Sequence, residues 1–168
     1  SECMVLIELL NALRLSRIAL HARTGKQQYK GHPDLEAFQG FYELCQHPLY
    51  YNGGIESLSD IRQILTRFPL LKGVFIGRGL LSSPLLAKEF KGNETFLPEQ
   101  RMSIYFAFHE ELFSAYSQVL QGETQLLVKM KTLWEYFLPE TDRKLLKRIK
   151  KSTRLQQYTE SVKAIFTS

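Results

Sequence analysis

Three short segments carry residues suited to holding an anion: His21 with Arg23 two residues on, Asn52-Gly53-Gly54, and Gly77-Arg78-Gly79. Glycine lets backbone amides approach a phosphate closely, and an arginine between two glycines can add a charge-assisted contact. Each segment follows a short apolar run: Arg17-Ile18-Ala19-Leu20, Pro48-Leu49-Tyr50-Tyr51 and Gly73-Val74-Phe75-Ile76. If those runs are parallel strands, the three segments gather at their C-terminal ends, where barrels of alternating strands and helices commonly hold phosphate. Plainer roles fit as well. Asn-Gly is a hairpin signal, Gly77 can simply end a strand, and a lone histidine is more often a satisfied core residue than a ligand.

A second candidate is cationic. Arg143, Lys144, Lys147, Arg148, Lys150 and Lys151 lie in a stretch that runs to Arg154 without an acidic residue. Leu145, Leu146 and Ile149 supply its buried side and leave the cations on the other. That division suits a surface tracking nucleic-acid phosphates, or a solvated helix face. Cys3 and Cys45 are too few and too differently placed for a disulfide framework or a zinc site, which points to a reducing cytoplasm.

The elements that must position these groups follow from periodicity. Val5, Leu6, Leu9, Leu10 and Leu13 recur at helical spacing over 4–15 and predict an amphipathic helix buried through that stripe. A buried strand over 17–21 follows. Pro33 in a first turn, with Leu35, Phe38, Tyr42 and Cys45 on one face, predicts the next helix. After the strand over 48–52, Ser57 with Asp60 three residues later starts a helix whose stripe is Leu58, Ile61, Leu65 and Phe68. The strand over 73–76 leads to a short helix opened by Ser83-Pro84. Strands alternating with helices predict a parallel sheet with right-handed crossovers, although three strands cannot close a barrel.

Beyond Gly92 the pattern is helical only. Pro98 starts a helix with Met102, Tyr105, Phe106, Leu112, Phe113, Tyr116 and Leu120 on one face, and further helices are expected over 123–137, 141–151 and 153–166. The fold class is therefore α/β plus all-α, with a boundary between residues 92 and 93 and an antiparallel helical bundle after it. The 168 residues are 44% hydrophobic, enough to bury a core, and the net charge of +5 favours an anionic partner. No apolar run is long enough to span a bilayer, so no membrane partner is expected.

The stretch His21-Ala22-Arg23-Thr24-Gly25-Lys26-Gln27-Gln28-Tyr29-Lys30-Gly31 resembles the HxRT-x-x-Q-x-Y-x-G segment of tRNA-dihydrouridine synthases. Asn52-Gly53-Gly54-Ile55 and Val74-Phe75-Ile76-Gly77-Arg78-Gly79 follow at that family's spacing, resembling its NGDI and IGRG. Lys129-Met130-Lys131-Thr132-Leu133-Trp134-Glu135-Tyr136-Phe137 resembles the start of a helix in its C-terminal bundle. Each motif alone is weak; the ordered set is specific.

The resemblance implies the C-terminal portion of a flavin-binding TIM (β/α)8 barrel over 1–92 and a helical tRNA-binding domain over 93–168. It implies flavin mononucleotide (FMN) as cofactor, NADPH as reductant, and reduction of the C5–C6 double bond of uridine in tRNA. His21, Asn52, Gly53, Gly54, Gly77 and Arg78 would hold the flavin and its ribityl phosphate. Arg23 and Tyr29 would lie on the substrate side, and Arg143, Lys147, Arg148, Lys150 and Lys151 would meet tRNA. Gly54 stands where the family usually has an acidic residue, which removes a side-chain contact but keeps backbone approach open. The family's proton-donating cysteine lies in an N-M-G-C-P-like segment upstream of everything here, and neither Cys3 nor Cys45 matches it. The chain is therefore expected to be inactive alone and to answer its incomplete barrel either by self-association or by a partly molten first domain. One alternative, from a different class, is a tRNA-binding module without catalysis; another is a different phosphate-binding barrel enzyme.

Overall fold

The structure, a computed structural model, describes residues 2–27 and 31–167. It divides into two compact units, Ser1–Leu80 and Leu81–Ser168.

The first unit runs α1 (Glu2–Asn11), β1 (Ile18–His21), α2 (Leu35–Leu44), β2 (Leu49–Asn52), α3 (Leu58–Arg67) and β3 (Gly73–Phe75); α4 (Arg78–Ser82) begins in it. The strands form a parallel sheet in the order β1-β2-β3. Period-two alternation gives this sheet two unlike faces. On one, Tyr51 is buried against Phe38 of α2, with ring centroids 4.9 Å apart, and Phe38 meets Phe68 at 5.0 Å. On the other, Ala19, His21 and Phe75 are exposed. The strand β1 is thus half-buried and exposed by turns, where the sequence predicts burial throughout.

Local chemistry fixes where the helices begin. Asp34 caps α2, its carboxylate accepting from the amides of Glu36 at 3.0 Å and Ala37 at 2.9 Å, so Pro33 lies outside the first turn in which it was expected. Ser57 and Asp60 form the capping box that their spacing predicts at α3. α1 departs from expectation. Among its described side chains Ile7 is buried and Leu10 half-buried, while Val5, Leu6, Leu9 and Leu13 are exposed, so most of the stripe that periodicity selects is turned outward.

The second unit contains α5 (Leu86–Gly92), α6 (Pro98–Val119), α7 (Glu123–Leu133), α8 (Arg143–Lys151) and α9 (Leu155–Phe166). Its core is built on Leu85, Tyr105, Met130, Trp134, Phe137, Ile149 and Tyr158. The division between units falls earlier than the change of pattern at Gly92. Leu85 sits in the helical core, and the buried Glu89 is ion-paired with Arg101 of α6, which ties residues 81–92 to the helices. Lys129–Phe137, expected to start a helix, instead spans the end of α7 and the turn after it, where Trp134 and Phe137 enter the core.

The most polar point of that core is a chain of hydrogen bonds. Trp134 Nε1–H donates to the Tyr158 hydroxyl at 2.9 Å, and that hydroxyl lies 2.6 Å from His109 Nε2. Indole is a donor only, so the hydroxyl proton goes to Nε2 and the imidazole carries its own proton on Nδ1. Nδ1 in turn meets Glu110 Oε1 at 3.1 Å. Burial holds His109 below the ordinary imidazole range, partly offset by Glu110, and burial pushes the Tyr158 phenol up.

Candidate functional site

The register brings the sheet's chemistry into one row. His21 pairs with Asn52, and Asn52 with Phe75, so the three share the open face at the C-terminal ends of their strands. They line a cavity of about 240 Å³ together with Arg23, Gly53, Gly54, Ile55, Glu56, Gly77 and Arg78. All six residues expected at the cofactor are therefore brought together. Arg23, expected on the substrate side, lines the same cavity, and its guanidinium also donates to the Gly31 carbonyl at 2.6 Å. Tyr29 lies outside the described residues.

Glycine is required here at particular positions. Gly53 has φ +132°, and a Cβ there would come 2.8 Å from His21 Cδ2 and 2.9 Å from Pro33 Cγ. Gly54 has φ +63°, a left-handed conformation that L side chains rarely adopt. A Cβ on Gly77 would meet nothing within 4 Å. The wall of the cavity is thus bare backbone at three positions, with two guanidinium groups beside it. His21 is held below its ordinary pKa by partial burial and then by the charges of Arg23 and Arg78, which keeps a neutral imidazole facing the cavity at pH 7.

Sequence reasoning missed Ile55, Glu56 and Phe75. Phe75 was foreseeable from register alone, since it occupies the row of His21 and Asn52; its ring packs on Tyr50 at 5.6 Å. Glu56 follows the glycines just before α3 and brings an acidic residue into the lining of a site that also holds two arginines. No motif announces it.

Cys45 ends α2 at the N-terminal edge of β2, the opposite end of the strand from Asn52. Its half-buried thiol lies 3.6 Å from the His47 carbonyl, away from the cavity.

In the second unit, the cations of α8 separate into two groups. Lys144, Lys147, Arg148 and Lys151, spaced i, i+3, i+4 and i+7, share one helix face. They border a groove of about 420 Å³ whose other residues are Ser152, Gln157, Glu160 and Ser161. Arg143 and Lys150 are exposed but do not line it, whereas Lys144, part of the cationic stretch but not of the residues expected to meet tRNA, does. The face opposite behaves as expected: Ile149 is fully buried and Leu145 and Leu146 are half-buried. Lys131 of α7 donates to the Ser152 carbonyl at 2.9 Å, placing a cation at the C-terminus of α8.

No helix among the described residues is long and apolar enough to cross a membrane. A probable tRNA-dihydrouridine synthase of Aquifex aeolicus (strain VF5) is 33% identical over 86 residues, 51% of this chain and 27% of that protein. A probable tRNA-dihydrouridine synthase of Rhizobium leguminosarum bv. phaseoli is 36% identical over 67 residues, 40% of this chain and 21% of that protein. The matched stretches thus span about a quarter of the length of these curated relatives. The family model described as dihydrouridine synthase matches residues 1–167, so nearly the whole chain, cavity and basic helix included, belongs to the dihydrouridine synthase family.

Proposed function

We propose that the protein carrying this chain reduces uridine to 5,6-dihydrouridine in tRNA, with FMN as cofactor and NADPH as reductant. The observation that carries this reading is the row of His21, Asn52 and Phe75 at the ends of three parallel strands, edged by bare backbone and two arginines. The residues fit the phosphate end of such a cofactor. Gly53, Gly54 and Gly77 leave bare backbone in the lining, and Arg78 supplies charge for a phosphate. At about 240 Å³ the cavity is smaller than the roughly 300–1,000 Å³ of whole ligand pockets, so it suits one end of the cofactor.

In this reading Asn52, Gly53, Gly54, Gly77 and Arg78 hold the ribityl phosphate, while His21 contacts the flavin ring or the ribityl chain. Glu56 suits hydroxyl groups, since a carboxylate repels phosphate. When bound, the flavin supplies the hydride chemistry and the protein orients the base against it. Arg23 is on the substrate side, and a uridine must leave its stack to arrive there. The open face of the sheet, with Ala19, His21 and Phe75 exposed, suits the inner wall of a barrel. Residues 1–80 then belong to that barrel and 81–168, which include the stretch to 92 first expected with the barrel, to a tRNA-binding helical domain.

Within the second unit, Lys147, Arg148 and Lys151, with Lys144, form the face that meets RNA phosphates; Arg143 and Lys150 extend the charge around the helix. This face also favours a second reading, a tRNA-binding module without catalysis. Among the described residues β1 and β3 each pair on one side only, and the α1 stripe is exposed, so the isolated chain self-associates. The deciding experiment measures dihydrouridine in tRNA from cells with the gene deleted and restored, alongside flavin absorbance of the purified protein. Loss and return of dihydrouridine with a yellow protein supports the enzyme. Unchanged dihydrouridine refutes it, and retained RNA without flavin favours the binding module.

A further inference from the structure

The two glycines of Gly77-Arg78-Gly79 stand in opposite surroundings. Gly77 is exposed and open, whereas Gly79 is buried, and a Cβ there would overlap the Ile55 carbonyl oxygen and come 3.1 Å from Glu56 Cα. The start of α4 therefore rests directly on the backbone of residues 55 and 56, the segment that continues from Gly53-Gly54. Asp60 holds the same segment through its backbone amides. Its Oδ2 accepts from the amide of Glu56 at 3.0 Å and from that of Ser57 at 2.8 Å.

We infer that Gly79 and Asp60 are positioning residues that together set the separation of the two glycine loops, and hence the fit of a phosphate between them. This rests on the phosphate-cradle reading above. Asp60 fixes the 53–57 segment to the first turn of α3, and Gly79 lets the 77–79 segment close onto it without an intervening side chain. Both residues act through the backbone of others. The carboxylate also engages two amides at the start of α3, which leaves the anion to the glycine loops.

A cap that merely stabilises α3 predicts loss of thermal stability with no change in ligand preference. A positioning role predicts a change in the preference for FMN over riboflavin, because the two differ only in the phosphate. The purified protein is titrated with each flavin by fluorescence quenching, well below its unfolding temperature, as wild type and as Asp60→Ala, Asp60→Asn, Gly79→Ala and Gly77→Ala. Asp60→Ala should lower the FMN-to-riboflavin ratio by about tenfold or more, the weight of one charge-assisted hydrogen bond, with riboflavin affinity kept. Asp60→Asn retains an acceptor for the two amides and should restore most of the ratio. Gly79→Ala should lower it as well. Gly77→Ala, which intrudes on open space, should weaken FMN without altering thermal stability. Should Gly79→Ala fail to fold, the Asp60 pair decides alone. Wild type that binds FMN no better than riboflavin overturns the cradle reading and this inference with it. Wild type that discriminates, with Asp60→Ala discriminating equally, overturns this inference and leaves the cradle standing.

Discussion

Removing one oxygen, by Tyr158→Phe, tests how the helical unit is held together. The ring of Tyr158 is fully buried, and its hydroxyl accepts from Trp134 Nε1–H at 2.9 Å while meeting His109 Nε2 at 2.6 Å. Phenylalanine keeps the packing and strands both partners. Each is buried, Trp134 at 2% and His109 at 1% exposure, so neither reaches water by a small shift. An orphaned buried polar group costs about 1–3 kcal/mol, and two of them give an expected loss of about 2–6 kcal/mol. Tyr105→Phe is the matched control. That hydroxyl pairs with Ser83 at 2.6 Å and Arg101 at 3.2 Å, both half-buried, so the expected loss is about 0.5–1.5 kcal/mol. Urea denaturation followed by far-ultraviolet circular dichroism reads all of these variants, including those that lack Trp134, the single tryptophan of the chain. Adding Trp134→Phe to Tyr158→Phe should cost less than Trp134→Phe alone, since the orphaned donor leaves with the indole. Equal losses for Tyr158→Phe and Tyr105→Phe, or strict additivity in the double variant, would refute the reasoning.

Other outcomes follow from the same geometry. His109 is held below the unfolded value of about 6.5, so its neutral form favours folding. That contribution is whole above pH 6.5 and declines as pH falls from 6.5 toward the folded value, and His109→Gln should flatten the decline in denaturation midpoints between pH 7 and 5. Charge reversal of Lys147 and Lys151 should weaken tRNA binding and flatten its log-log salt dependence, by about 0.7 to 0.9 for each phosphate no longer neutralised, alike for unrelated tRNAs. An unchanged slope in a folded protein would return α8 to the status of a solvated face. Gly53→Ala should abolish flavin binding, because the new methyl meets His21 and Pro33 at a φ of +132°. The 168-residue chain alone should not reduce uridine, since Cys45 lies at the far end of β2 from the cavity. Light scattering should show it associated, and a monomer would count against the unpaired sheet edges as binding surfaces.

Apart from α4, which the sequence did not announce, and α5, which starts at Leu86 and not at Ser83-Pro84, the sequence by itself determined the order of elements, the capping box at Ser57 and Asp60, and the three loops around the cavity. Those features are local: turn chemistry, period and strand ends are written in a few adjacent residues. The family was legible for the same reason, because its motifs are short and ordered along the chain. Tertiary structure decided the rest. Periodicity marks a stripe on α1 but cannot say which way it turns, so Ile7 rather than Val5, Leu6 and Leu9 is buried. Gly77 and Gly79 look alike in sequence and differ only in what approaches them, open space for one and the Ile55 carbonyl for the other. His109, Trp134 and Tyr158 are far apart in the chain, and no spacing rule joins them. Hydrogen bonds close that network only once α6 and α9 pack around the turn that follows α7.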